Sequence, residues 1–307
     1  MKKVFREIIV PLSVPTRYHH DYVEHYQAIT FGSGRLLLFA GDQKIEHLND
    51  DFYGSDIDLA DQHPEHLFRI AASADVGVFA AQMGLIARYA HAYKAIRYLV
   101  KINAKTNLCP TSCVEPQSLA LQSVDQVLEF ERNSGLSIVG FGYTIYLGSA
   151  FEHIMLAQAS ALIYQAHRHG KLVVLWMYPR GASVKDEKNA SLIAGAAGVG
   201  TALGADFVKV NVPEGRDAFD QAQQLQQAVS AAGNTGVLCS GGGKVSSVQL
   251  LEHVYHQIHT GGVAGVALGR NIHQRSLDQA CVLIKALKVL LHEDEDLEAA
   301  RNMITFE

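Results

Sequence analysis

The chain is poor in cysteine, short of basic charge and without a long apolar run, and each shortage closes off a class of function. Its four cysteines are Cys109, Cys113, Cys239 and Cys281. Only the first two are close in sequence, at a spacing that fits neither the usual zinc pairs nor a redox dithiol motif, so free thiols in a reducing cytosol are expected. Lys and Arg total 26 against 31 Asp and Glu, a formal net charge of −5. A nucleic-acid surface needs a basic stripe, so no nucleic-acid partner is expected. A local basic pocket for a phosphate is compatible with this balance. No apolar run approaches the roughly 18 residues of a membrane span, and no membrane partner is expected. Residues 1–15 place two lysines before apolar residues, as a secretory signal does. Arg6, Glu7, Pro11 and Pro15 interrupt them and leave no apolar core of about 7–15 residues, so a cytoplasmic location is expected.

What is present is a recurring alternation. Hydrophobic residues are 48% and charged residues 19% of the 307, an ordinary balance for a large core. Eight short apolar runs rich in β-branched residues read as strands: 36–40, 76–81, 98–102, 137–141, 172–176, 206–210, 236–240 and 264–268. Most lack polar alternation, as strands covered on both faces do. Helical patterns fall between them, most clearly at 118–132, 150–168, 192–203, 217–231, 245–260 and 277–291. The repeat averages about 33 residues, near one βα unit. Such a chain forms either a closed barrel or a doubly wound open sheet. The count of eight favours the barrel, and so does the lack of a G-x-G-x-x-G turn after the first run. One barrel of about 250 residues plus an extension fits the length, as would two smaller domains. We therefore expect an α/β fold, a (β/α)8 TIM barrel in one domain: an N-terminal extension over residues 1–33 that covers the barrel's bottom or side, the barrel over 34–290, and a tail over 291–307. Residues 42–66 read as a long acidic loop after the first strand.

In a barrel the chemistry lies beyond the C-terminal strand ends. The first strand runs into Asp42, Gln43, Lys44, Glu46 and His47, either a solvated loop or a pocket wall carrying a carboxylate. The sixth contains Lys209. A lysine in a strand buried on both faces is costly, and is either paired structurally or desolvated, with a lowered pKa that makes its amine a nucleophile. On the fifth, period two aims Trp176 and Tyr178 at one face. If that face is the interior, the phenol becomes a candidate acid or base one strand from Lys209, and Arg180 would anchor loop or substrate. The seventh ends in Ser240, Gly241, Gly242, Gly243 and Lys244, the eighth in Gly269 and Arg270. Glycine loops at those two positions, each with a cation, are where barrels hold phosphate. Arg270 could add a two-pronged contact to it. Lys101 is a second strand lysine, ranked below Lys209 for want of an evident proton-transfer partner and suited to pairing with a site carboxylate. His253, His256 and His259 recur every third residue on a helix outside the barrel, and His63 and His66 share a loop without further ligands. No zinc or magnesium set is expected.

These residues together resemble the archaeal-type class I fructose-1,6-bisphosphate aldolases, the DhnA-like family, from about Gly34 to about Ile284. The segments that carry the resemblance begin at Gly41, Val100, Gly142, Tyr178, Gly204, Gly241 and Gly269. It implies Lys209 as Schiff-base lysine, Tyr178 as proton donor and Asp42 as acid/base or hydroxyl ligand. It also implies Trp176 as pocket wall and Gly241, Gly242, Gly269 and Arg270 as phosphate site, with Gln43, His47, Arg180 and Ser240 as further substrate contacts. Lys101 and Lys44 would support the site. The expected reaction is metal-independent cleavage of fructose 1,6-bisphosphate to dihydroxyacetone phosphate and glyceraldehyde 3-phosphate, with no cofactor, a phosphorylated sugar as partner and a homo-oligomeric assembly. A related aldolase or transaldolase-type synthase, such as amino-dideoxy-heptulosonate synthase, is the alternative. A phosphosugar isomerase and a non-catalytic phosphosugar-binding protein stand behind it. Three departures bear on substrate choice. Lys44 stands where the family usually has glycine, residues 211–215 replace a tyrosine-containing segment, and Gly243 stands where proline is common.

Overall fold

The structure, a computed structural model, describes residues 8–109 and 113–304. Eight parallel strands close into a barrel. They are β1 Leu36–Ala40, β2 Val78–Ala81, β3 Arg97–Lys101, β4 Ser137–Leu147, β5 Leu172–Pro179, β6 Phe207–Val210, β7 Gly236–Ser240 and β8 Gly265–Leu268. Each pairs with its chain neighbours, and β1 pairs with β8 to shut the ring. Period two then sorts side chains into two cores. Leu36, Leu38, Val78, Leu99, Val174, Phe207 and Leu238 fill the interior, while Leu37, Phe39, Phe79, Val173, Val208 and Val237 face the surrounding helices. Both faces are buried, which is why the strands read as continuous apolar runs.

The helices start where side chains satisfy their first free N–H groups. Ser123, Ser246 and Ser276 each close a capping box with a glutamine three residues on, and Asn189 and Asp217 cap two others. The helix expected from residue 118 begins only at Val124, because Leu119–Ala120 pairs antiparallel with Asn103–Ala104. β4 runs to Leu147, six residues beyond the expected 141, since residues 140–147 pair with β5 along their whole length. The loop expected over 42–66 contains the short helix Gln43–Glu46 and leads into the helix Glu65–Ser73.

The N-terminal extension plugs the barrel floor. Its helix His19–Thr30 puts Tyr22 and Ile29, with Val14 before it, into the interior core. Tyr26 stacks on Phe207 with ring centroids 5.3 Å apart. Tyr22 donates a hydrogen bond to Asp206 Oδ1 at 2.5 Å, and the other Asp206 oxygen accepts the Val173 N–H at 2.7 Å. The floor is thus sealed, and the opposite, C-terminal mouth is left for a ligand. Among the described residues no helix is long and apolar enough to cross a membrane.

Candidate active site

Strand register brings the unusual interior side chains side by side. Trp176 pairs with Lys209 between β5 and β6, Tyr146 with Tyr178 between β4 and β5, and Lys101 with Gly142 between β3 and β4. Gly142 makes the room: a Cβ there would lie 2.7 Å from the Trp176 ring and 3.0 Å from Lys101 Cδ. Lys101 is fully buried and Lys209 is 6% exposed. Their ammonium nitrogens lie 5.3 and 5.2 Å from the Trp176 ring centroid.

The two lysines differ in their partners. Lys101 donates to Asn103 O at 2.9 Å and Asn103 Oδ1 at 3.1 Å, and lies 4.0 Å from Asp42 Oδ2. Asn103 is itself fixed by donating to Ser118 O and Thr144 O. Among the described residues no hydrogen bond or ion pair reaches Lys209 Nζ. Burial lowers both lysine pKa values. Asp42 and Glu46 oppose the shift at Lys209, and the charges of Lys101 and Arg270 add to it. Oxygen acceptors favour the charged form and an aromatic face with an open cavity does not supply them. Lys101 is therefore built to stay an ammonium, and Lys209 is the amine able to give up its proton.

Tyr178 sits beside this pair with its hydroxyl unbonded among the described residues. Burial, then the Glu46 and Asp42 carboxylates, push its pKa well above the ordinary 10.0, so the phenol keeps its proton. Asp42 is 3% exposed and heads the short helix Gln43–Glu46 without capping it, which leaves its carboxylate for the cavity. One turn of helix fans its side chains about 100° apart. Gln43, Glu46 and His47 line the cavity, whereas Lys44 turns away with its ammonium 4.0 Å from the Phe52 ring centroid. Lys44, expected to support the site, is thus not among the residues that line the cavity.

Ser240, Gly241 and Gly242 after β7, and Gly269 and Arg270 after β8, form the facing wall. Asn271 holds the glycine loop in shape, donating to Gly241 O at 2.8 Å and Gly243 O at 2.9 Å while accepting the Val245 N–H at 2.9 Å. Gly269 lets the Gln43 amide lie close against the backbone: a Cβ there would fall 1.9 Å from Gln43 Nε2 and displace that side chain. Arg270 Nη1 lies 3.6 Å from Asp51 Oδ1, and His47 pairs with the other Asp51 oxygen. Burial pushes Asp51 up, yet His47 and Arg270 hold it on balance below its ordinary pKa, so it stays a carboxylate. Together these walls enclose a cavity of about 140 Å³.

The cavity is lined by Asp42, Gln43, His47, Trp176, Tyr178, Arg180, Lys209, Ser240, Gly241, Gly242, Gly269 and Arg270. Lys101 lies behind the lining, against Trp176. Glu46, read from sequence only as one of the polar residues after β1 and given no role, also lines it, as do Tyr146, Asn107 and Asn211, which were not singled out. Tyr146 donates to Glu46 Oε1 at 2.9 Å. Glu46 stood in a stretch already conspicuous for its polar residues, and one helical turn from Asp42 was the signal that could have found it. His66 donates to backbone oxygens of His273 and Arg275, and His256 and His259 pack against Tyr255. Cys109 and Cys113 are exposed, and Cys239 is buried in the core outside the barrel. A wider hollow of about 750 Å³ beside Tyr53 and Lys244 lacks the convergence of lysine, phenol and carboxylate.

A family model of DeoC/LacD aldolases matches residues 36–275. The chain is 50% identical over 295 residues to the fructose-bisphosphate aldolase/6-deoxy-5-ketofructose 1-phosphate synthase of Methanocaldococcus jannaschii, covering 96% of this chain and 94% of the relative. Among solved structures, the fructose-bisphosphate aldolase from Slackia heliotrinireducens superposes with a TM-score of 0.94 at 49% identity, covering 97% of this chain and 94% of that one. An archaeal fructose-1,6-bisphosphate aldolase whose catalytic lysine is bound to the carbinolamine intermediate gives 0.74 at 30% identity, over 88% of this chain and 99% of that one. The chain belongs to the DeoC/LacD aldolase family and, within it, to the archaeal-type class I fructose-bisphosphate aldolases, enzymes that break and make carbon–carbon bonds.

Proposed function

We propose that this aldolase reversibly cleaves fructose 1,6-bisphosphate to dihydroxyacetone phosphate and glyceraldehyde 3-phosphate through an imine on Lys209. The observation that carries the reading is the division of labour between two buried lysines on one tryptophan. Lys101 is held by Asn103 and Asp42, while Lys209 has no hydrogen bond or ion pair among the described residues and opens on the cavity beside Tyr178. The neutral Lys209 amine adds to the C2 carbonyl of the open-chain sugar. Tyr178 protonates the departing hydroxyl, and loss of water leaves an iminium ion. Asp42 draws the proton from the C4 hydroxyl as the C3–C4 bond breaks, and the released electron pair passes into the iminium to form an enamine. Protonation at C3 and hydrolysis free the triose phosphate and the amine. The glycine loops and Arg270 hold the C1 phosphate, turning remote binding energy into alignment of C2 on Lys209. The iminium is the electron sink that a metal Lewis acid would otherwise supply, and the reaction is expected to run in EDTA.

The test is a coupled assay for triose phosphate with fructose 1,6-bisphosphate and EDTA, on the unaltered chain and on Lys209→Met. Turnover that the substitution abolishes is expected. Turnover lost on adding EDTA, or kept by Lys209→Met, would overturn the reading. The name of the Methanocaldococcus jannaschii relative favours a second reading. In it the same triose-phosphate enamine adds to a different aldehyde and builds a ketose with one phosphate, and assays with alternative aldehydes in the condensation direction separate the two.

A further inference from the structure

The cavity carries an arginine at each end, and the two are in different states. Arg270, beyond β8 at the glycine loops, lies 3.6 Å from Asp51 and makes no hydrogen bond to it, so its N–H groups remain for an anion. Across the mouth, beyond β5, Arg180 is already engaged. Its Nε donates to Glu187 Oε1 at 2.7 Å and its Nη2 to Oε2 at 2.6 Å. This two-pronged arrangement is the strongest that a carboxylate offers an arginine. The guanidinium still stands at the cavity wall, 5.7 and 5.8 Å from the ring centroids of Tyr178 and Tyr146, while Glu187 lies outside the lining. Lys105 is the other cation of that rim, its ammonium 5.9 Å from the Tyr146 ring and donating to Asn107 Oδ1; burial lowers its pKa on balance, and the Glu46 carboxylate opposes that shift. The far end thus sets two cations against Glu187 and Glu46, with Arg180 locked in two hydrogen bonds, whereas at the glycine end Arg270 faces Asp51 without a hydrogen bond and has backbone N–H groups beside it.

Resting on the aldolase reading, we propose that Glu187 sets specificity for the far half of the substrate. By occupying Arg180 it withholds a counter-charge from a distal phosphate, so the site takes keto sugars phosphorylated at one end about as readily as those phosphorylated at both. Glu187 touches no reacting atom in this scheme and acts through Arg180.

The test uses two unreactive polyols, glucitol 1-phosphate and glucitol 1,6-bisphosphate, titrated calorimetrically into the full chain and into Glu187→Gln. The unaltered chain is expected to bind both within about threefold. In Glu187→Gln the bisphosphate should tighten about tenfold, from a charge-assisted contact newly made, with the monophosphate unchanged. Adding Arg180→Gln to that variant should erase the gain. Glu187→Ala gives the same comparison if the glutamine variant misfolds. A preference of about a hundredfold for the bisphosphate in the unaltered chain would overturn the proposal. So would a Glu187→Gln change that moves both ligands alike or weakens the bisphosphate, and so would the absence of binding by either. None of these readings needs turnover. Failure of the aldolase reading shows separately, as no borohydride-trapped adduct on Lys209.

Discussion

At the scale of single residues, the site works by giving similar groups different surroundings. Lys101 and Lys209 share one ring, yet among the described residues only Lys101 has oxygen partners. Two predictions follow from their charges. Lys209 must be neutral to attack, so kcat/KM should rise with pH through an acid limb set below the ordinary lysine value of 10.5. The Lys101 charge lowers the Lys209 pKa further, so Lys101→Met should move that limb to higher pH, and a limb that stays put would show the two amines uncoupled. Tyr178→Phe keeps the ring and removes the proton. It should cut kcat about 10²–10⁴-fold, the worth of a positioned acid, while a slowly formed imine on Lys209 stays trappable. The lysine and the phenol were legible in the sequence because a charge in an apolar run, and an aromatic two residues beyond an inward one, are visible as patterns. Glu46 and the holding role of Asn103 were not, because they depend on which way one turn of helix and one short antiparallel pair direct their side chains.

At the scale of elements, the strands are the rulers that set the site's spacing. Most strands fell within two residues of the apolar runs that announced them. The exceptions are β4 and β5, which run six and three residues past their apolar runs because they pair with each other up to Leu147 and Pro179, and not from any local preference. The N-terminal helix went unread because His19–Thr30 mixes histidines, tyrosines and acids without a clean apolar stripe. Gly142 shows how tightly an element constrains the chemistry. Gly142→Ala would place a methyl 2.7 Å from Trp176 and 2.8 Å from Leu99. It should cost about 1–3 kcal/mol in chemical denaturation and lower kcat by displacing the shared ring. Unchanged activity in a stable variant would show that Trp176 does not position the lysines. Asn271→Ala frees the glycine loop and should raise KM for phosphorylated ligands more than it lowers kcat, as measured by steady-state kinetics.

At the scale of the whole molecule, the extension and the last barrel helix close the chain on itself at the floor, away from the chemistry. His292, at the end of helix Leu277–His292, pairs with Ser33 Oγ at 2.8 Å and sits edge-on to Phe31. Burial first, then the charges of Lys288 and Arg35, lowers its pKa from 6.5 to about 4. The unfolded chain therefore takes up this proton before the folded one does. Its stabilising effect is complete above pH 6.5 and is lost as pH falls toward about 4. Over that window the loss should be on the order of 2–3 kcal/mol, and His292→Gln should flatten it. Denaturant titrations between pH 7 and 4 read this directly, and at any one pH His292→Gln should leave kcat per folded molecule unchanged, because the floor and the mouth lie at opposite ends of the barrel.

The central claim is that Lys209, and not its buried neighbour Lys101, carries the imine. The most direct measurement is sodium borohydride reduction in the presence of fructose 1,6-bisphosphate and EDTA, followed by peptide mass mapping. A triose-phosphate or hexose-bisphosphate adduct on the peptide containing Lys209 is the predicted result. An adduct on Lys101, or none with any phosphorylated keto sugar, would contradict the account.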